Sequence, residues 1–440
     1  MLDRIVERTL SNGLKVICLK KTGAPIVSVQ IWYRTGSVNE RDGIRGISHM
    51  LEHMMFRGSA AIAPEEHARR INDVGGHCNA FTAEDVTAFF NNVPRDCFDM
   101  MLSLEADRMN ALTLSADLLE TERKVIIEEY HTYMNNPVTK AFLEFRRQFF
   151  AGNPYETSPL GILENIQGIS ADDCRAYYDL WYSPDNAVAV IVGDIESEDR
   201  VFERMEAVLG GVRSRSGGAL RPVGQFKAPA ASSGMKRMKR RVEFDVPLLV
   251  MGFPAPPSSS RDALPLEIIQ QVVSQGESSR LYGELVRRQS LAVMAGGMNH
   301  YLRHAGMSLF FAVFTPDVPA ARIEAALHRQ IEIVRNHGIT DSELEKVKNA
   351  TLTHRVFEMY SAEHLCQRIG FSEIVEGNYR LWVERLATLE KLTVDELVDA
   401  VRRYWNDEEM HVLHLQPKKI SPLLFIAGAA KRLFKKKVTV

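Results

Sequence analysis

The amino-acid sequence predicts an α+β protein made of two homologous domains. Three observations predict it. Strand-like and helix-like runs alternate along the chain. A stretch rich in Gly, Ser, Ala, Pro and Arg, from about residue 210 to 234, interrupts them near the middle. After that stretch the same order of elements begins again, the mark of an internal repeat. The length agrees, since 440 residues exceed one hydrophobic core and suit two or three domains. The expected divisions are 1–215, a linker at 216–235, a second domain at 236–417 and a basic tail at 418–440.

The first domain opens on Leu10-Ser11-Asn12-Gly13-Leu14, an Asn-Gly turn between apolar runs and hence a hairpin. Ile26 to Tyr33 reads as a buried strand. A helix is expected from about Ile44 to Phe56, stopping near Gly58. Pro64-Glu65-Glu66 opens another, with proline and acid in its first turn, and Gly75-Gly76 ends it. His77 to Thr82 and Asp85 to Phe90 are short strand-like runs around a turn. Helices follow at about 96–109, 116–133 and 138–149, then Asp172 to Trp181, then a buried strand Ala187 to Val192. Beyond the linker, Pro247 to Phe253 is a strand and Leu264 to Gln275 a helix in the place of the helix at Ile44. Leu397 to Tyr404 and Met410 to Leu415 echo Asp172 to Val192.

Composition excludes several classes. A net charge of −2 gives no field for nucleic acid. No apolar run reaches about 18 residues, so no membrane span is expected. No signal peptide precedes the first strand, which places the expectation in the cytoplasm. Cys18, Cys78, Cys97, Cys174 and Cys366 are dispersed and odd in number, which points to reduced thiols. The last 23 residues carry seven Lys or Arg and no acid around the apolar run Pro422 to Ala430. That segment reads either as a solvated tail or as a basic amphipathic stretch making weak contact with an anionic membrane surface or with an acidic partner.

The chemistry lies in Gly46-Ile47-Ser48-His49-Met50-Leu51-Glu52-His53-Met54-Met55-Phe56. On a helix, His49, Glu52 and His53 share one face. Imidazoles four apart can hold one small metal ion, and a carboxylate beside them can act as base on a metal-activated water. The order His-x-x-Glu-His reverses the common zinc-protease motif. Zinc needs a third protein ligand with a fourth position left open. Glu122 and Glu129 lie on one helical face, roughly 10 Å apart along the axis. One is therefore expected to ligate and the other to orient the site. Glu128 points about 100° away and is the weaker candidate. His67, His77 and His131 have no partners at ligand spacing and read as core or surface histidines.

These residues resemble the M16 peptidases, the inverzincins that include pitrilysin, insulin-degrading enzyme and the mitochondrial processing peptidase. The similarity runs to about residue 417 and is of the bacterial half-size type. It rests on the Asn-Gly hairpin, the His-x-x-Glu-His segment through Gly58, Gly75 to Thr82, Glu122 to Glu129, and Tyr182-Ser183-Pro184-Asp185-Asn186. The resemblance implies two domains, each a mostly antiparallel sheet packed with helices, forming a clamshell around a closed chamber. It implies Zn2+ on His49, His53 and Glu129, the last 76 residues after His53, with Glu52 as base and Glu122 in support. It implies that Asn79, Ala80, Phe81 and Thr82 form an edge strand to which an unfolded peptide adds as a further strand.

One departure stands in the second half. The family's active members place an Arg and a Tyr, seven apart, after a Ser-Ser-Arg-Leu stretch. Here Ser278-Ser279-Arg280-Leu281 is present, but Val286 and Val293 occupy those two positions. The expectation is a zinc endopeptidase that forms the metal-bearing subunit of a heterodimer, with a related M16-like partner supplying the Arg–Tyr pair. The alternative is a non-catalytic structural or peptide-binding subunit.

Overall fold

The computed structural model describes residues 4–216, 236–419, 422–423 and 425–426. The linker expected at 216–235 lies outside the described residues except for Ser216, as does most of the basic tail. The chain forms two compact units, one of Met1–Thr132, Thr157–Phe226 and His354–Glu384, the other of Tyr133–Glu156, Lys227–Thr353 and Arg385–Val440. Each half of the sequence thus lends one segment to the unit built mainly by the other.

The first unit is organised by a six-stranded sheet. Its strands are β1 (Val6–Thr9), β2 (Lys15–Lys20), β3 (Ile26–Tyr33), β4 (His77–Thr82), β5 (Thr87–Pro94) and β6 (Ala187–Gly193), in the order β1-β2-β6-β3-β5-β4. The Asn-Gly turn joins β1 to β2 as an antiparallel hairpin, with Leu10 N–H donating to Leu14 C=O. Only the β2–β6 pair is parallel. Every residue of β6 is buried, as expected of a strand covered on both faces. Alternation sorts its side chains. Ala189 and Ile191 enter one core with Ile47, Met50, Leu51 and Met54. Val188, Val190 and Val192 enter the other with Leu365, Cys366 and Ile369 of the helix Ala362–Phe371.

The second unit repeats the plan. Its strands are β7 (Lys236–Val242), β8 (Leu248–Ala255), β9 (Ala292–Tyr301), β10 (Gly306–Phe314) and β11 (His411–Pro417), ordered β7-β11-β8-β10-β9. Again one pair, β7–β11, is parallel and the rest antiparallel. Position for position, this order matches β2-β6-β3-β5-β4. The two-copy organisation read from the sequence is therefore present, as two mixed sheets dominated by antiparallel pairs.

Four helices of the first half matter for the site: α1 (Ile47–Met54), α2 (Glu66–Asp73), α3 (Phe98–Ala111) and α4 (Ala116–Asn135). The observed α1 is shorter at both ends than the expected 44–56. Gly46 cuts its start, because it adopts φ 108° and a Cβ there would press on Ile166 and Gly161. Ile47, Met50, Leu51 and Met54, spaced i, i+3, i+4, i+7, form its buried stripe. His49, Glu52 and His53 are left on the other side.

The start of α1 has no cap from its own N-cap residue. Glu40, buried, replaces it: Oε2 accepts from Gly46 N–H at 2.7 Å and Oε1 from Ser48 N–H at 3.0 Å. A carboxylate at a helix N-terminus is favourable, yet burial wins and pushes the Glu40 carboxyl up to about 7. The folded-state value lies above the unfolded one of 4.5. Glu40 therefore contributes stability that is fully present below pH 4.5 and is lost as pH rises through 7. Between those limits the wild type is expected to lose about 3 kcal/mol more than Glu40→Gln. Denaturant unfolding of both proteins at pH 4.5 and 8 measures this, and parallel pH profiles would refute it.

Candidate metal centre

The geometry is built by α1 and α4. On α4, Leu119, Glu122, Arg123 and Ile126 are buried, and Arg123 donates to the carbonyls of Ile166 and, at 2.6 Å, Ile169. That fixes the helix so that Glu122 and Glu129 both face α1. The His53 ring lies between them: Nδ1 is 3.2 Å from Glu122 Oε2 and Nε2 is 3.6 Å from Glu129 Oε2. His49 Nε2 is 3.7 Å from the same Glu129 oxygen. One donor atom from each of His49, His53 and Glu129 lies within 4.8 Å of the others. Distances of 3.6 and 3.7 Å are too long for hydrogen bonds. They are close to the ligand–ligand separation of about 3.3–3.5 Å that a tetrahedral zinc imposes. Glu128 is exposed on α4.

The electrostatics suit a cation. Burial, and then the charge of His53, push the His49 imidazole down to about 4, so it is neutral and able to ligate at pH 7. Its Nδ1 is buried without a hydrogen-bond partner among the described residues. Glu122 is almost fully buried, and the Arg57 Nε pairs with its second oxygen at 2.6 Å. Arg57 also pairs with Glu65. With Nδ1–H of His53 donating to Glu122, its Nε2 lone pair is directed toward Glu129. Glu52, Glu122 and Glu129, with Glu65 beside them, set four carboxylates against the guanidinium of Arg57, an excess of negative charge that favours a cation.

Glu52 lines a cavity of about 310 Å³ with His53, Phe56, Arg57, Glu65, Ala68 and Glu122. Burial raises its carboxyl above the ordinary range, against the pull of a Thr82 hydrogen bond and of His53, while Glu129 adds to the rise. Strand β4, which carries Asn79, Ala80, Phe81 and Thr82, stands at the end of the sheet order and pairs with β5 alone among the described residues. Phe81 turns to the far face, edge-on to Trp32 at 5.6 Å. Thr82 Oγ1 donates to Glu52 Oε2 at 2.6 Å. Among the other histidines, His67 is a core residue bonded to Asn91 at 3.1 Å, while His77 and His131 are exposed. All five cysteines are unpaired.

Sequence reasoning missed Glu40, Arg57 and the Thr82–Glu52 bond. Arg57 alone left a signal, four residues beyond His53 and just past the end of α1.

Comparison with known proteins adds the relatives. A family model described as Insulinase (Peptidase family M16) matches residues 15–161, and one described as Peptidase M16 inactive domain matches residues 168–351. The chain belongs to the M16 peptidase family. The zinc protease PqqE of Helicobacter pylori is 27% identical to this M16 chain over 413 residues, covering 93% of the chain and 92% of the relative. An uncharacterized zinc protease of Bacillus subtilis, YmxG, is 22% identical over 411 residues, covering 92% and 96%. The crystal structure of a protease from Helicobacter pylori superposes with a TM-score of 0.88 at 25% identity, over 94% of this chain and 99% of that one. A peptidase M16 inactive domain from Pseudomonas fluorescens shares the fold, with a TM-score of 0.84 at 16% identity over 95% and 98%.

In the second half of this M16 chain, Ser278-Ser279-Arg280-Leu281 leads into a π-helical turn, Tyr282–Arg288. Arg280 is held by Glu343 through two bonds of 2.7 Å. Val286 packs against the core of its unit, and Val293 is exposed on β9. Arg287 is paired with Glu277 and lies 5.5 Å from the Tyr282 ring. Among the described residues no helix is long and apolar enough to cross a membrane.

Proposed function

We propose that this chain is a zinc-dependent endopeptidase acting on unfolded peptides, with the ion held by His49, His53 and Glu129. The observation that carries the reading is the convergence of those three donors at non-hydrogen-bonding distances, with Glu52 on the same helix face. The donor set of two imidazoles and a carboxylate, the neutral His49 and the unbalanced carboxylates all fit zinc. When bound, zinc supplies Lewis acidity, acidifying a water and polarising a peptide carbonyl.

The protein's own groups do the rest. Glu52 takes the proton of the attacking water and returns it to the departing amine nitrogen. Glu122 holds the His53 ring through Nδ1, and Arg57 offsets the charge of Glu122. The edge of β4 at Asn79–Thr82 offers main-chain groups to an extended peptide with little regard to its sequence. Asn79 Oδ1 accepts from Ala80 N–H at 2.9 Å, so an arriving strand would exchange that bond for its own.

Val286 and Val293 leave this half without the Arg–Tyr pair, and we propose that a related M16-like subunit supplies it in a heterodimer. Unpaired cysteines favour a reducing compartment such as the cytoplasm. The second reading, a non-catalytic peptide-binding subunit, is favoured by the same two valines. Elemental analysis separates the readings, because a retired site has no need to retain zinc. The purified chain is expected to hold one zinc, to cleave an unstructured peptide weakly alone, and to gain about 10²–10³-fold with its partner if an oxyanion donor is restored. Full activity as a monomer sinks the heterodimer, and a metal-free wild type sinks the peptidase.

A further inference from the structure

Thr82 is the last residue of β4, and its side chain leaves the strand toward α1. Its hydroxyl donates to Glu52 Oε2 at 2.6 Å, and among the described residues this is the one hydrogen bond that Glu52 receives. Hydroxyl–carboxylate bonds of this length are the strong, charge-assisted kind. The threonine is itself held. Its β-branched side chain has few rotamers, and its backbone is paired with Thr87 across the ladder. Thr87 is fully buried and its hydroxyl is tied to Thr35 C=O at 3.0 Å. A glutamate has three side-chain torsions, so without such an anchor its carboxylate would sample several positions.

We infer that Thr82 is a positioning residue for the base: it pins Oε2 of Glu52 and leaves Oε1 as the oxygen that accepts the proton. This rests on the peptidase reading above and gives the side chain of Thr82 a task distinct from peptide docking. The strand that would receive the peptide then also sets the orientation of the base. Binding and proton transfer share one rigid element, which places the attacking water and the scissile carbonyl in a fixed relation.

The test compares Thr82→Val, which keeps the branched shape without the hydroxyl, with Thr82→Ser, which keeps the hydroxyl. Both are assayed as the purified, zinc-loaded chain on a fluorogenic unstructured peptide, alongside zinc content. Thr82→Val is expected to lower kcat about 10–100-fold with KM and zinc content unchanged, and Thr82→Ser to return to within about threefold of wild type. A crystal structure of Thr82→Val should show the Glu52 carboxylate displaced, which reports the role without any turnover. A wild-type kcat in Thr82→Val overturns the inference, as does equal loss in both variants, or a raised KM with kcat intact. A zinc-loaded wild type that cleaves nothing overturns the peptidase reading and this inference with it, whereas failure of Thr82→Val alone to respond overturns only the inference.

Discussion

Replacing Glu52 by glutamine is expected to leave zinc bound and to cut peptide hydrolysis by roughly 10²–10⁴-fold, the range a single general base supplies. The substitution is nearly isosteric. The amide oxygen that replaces the carboxylate can still accept from Thr82, so the side chain should stay in place while losing its ability to take a proton. Glu52 is not among the three donors that converge, so the ion keeps its protein ligands. Removing one of the clustered carboxylates also lowers the excess negative charge, so zinc affinity is expected to weaken modestly rather than vanish. Zinc stoichiometry and kcat on one peptide decide the matter together. Retained hydrolysis would place the base elsewhere, and loss of zinc would make Glu52 a ligand.

The helix bearing Glu52 was legible in the sequence because two periodicities coincide there. Ile47, Met50, Leu51 and Met54 bury one stripe, and His49, Glu52 and His53 repeat on the opposite side. The repeat of strands was legible for a similar reason, since buried runs such as Ala187 to Val192 announce themselves by composition. What pairing a helix makes is less local. The helix Ala362–Phe371 has an apolar face, as many helices do, but nothing in its spacing says that it covers the far side of the first sheet. Glu40 was illegible for the same cause. It caps α1 from six residues before Gly46, through a loop whose path only the packed structure defines. Arg57 and Thr82 were visible as residues, but their tasks depend on distances between elements, which spacing along one element does not carry.

The choice between the α4 carboxylates gives the other large expected effect. Glu129→Gln is expected to weaken zinc binding by at least about 10²-fold, because it removes a charged ligand and leaves an amide oxygen in its place. Glu128→Gln should change nothing, since that side chain is exposed on the same helix. Glu122→Gln should fall between, about 10–100-fold, as expected for a group that orients a ligand rather than binding. The amide oxygen can still accept from His53 Nδ1, now 3.2 Å from Glu122, but holds the ring less firmly than a carboxylate, and Arg57 is left with Glu65 as its charged partner. The order of the three variants is therefore the diagnostic. Chelator competition on each purified protein gives the affinities, and circular dichroism shows whether α4 stays folded. If Glu122→Gln loses zinc and Glu129→Gln keeps it, the ligand and its support exchange places. The His53 ring would then have to turn over, presenting Nδ1 to the ion in place of Nε2.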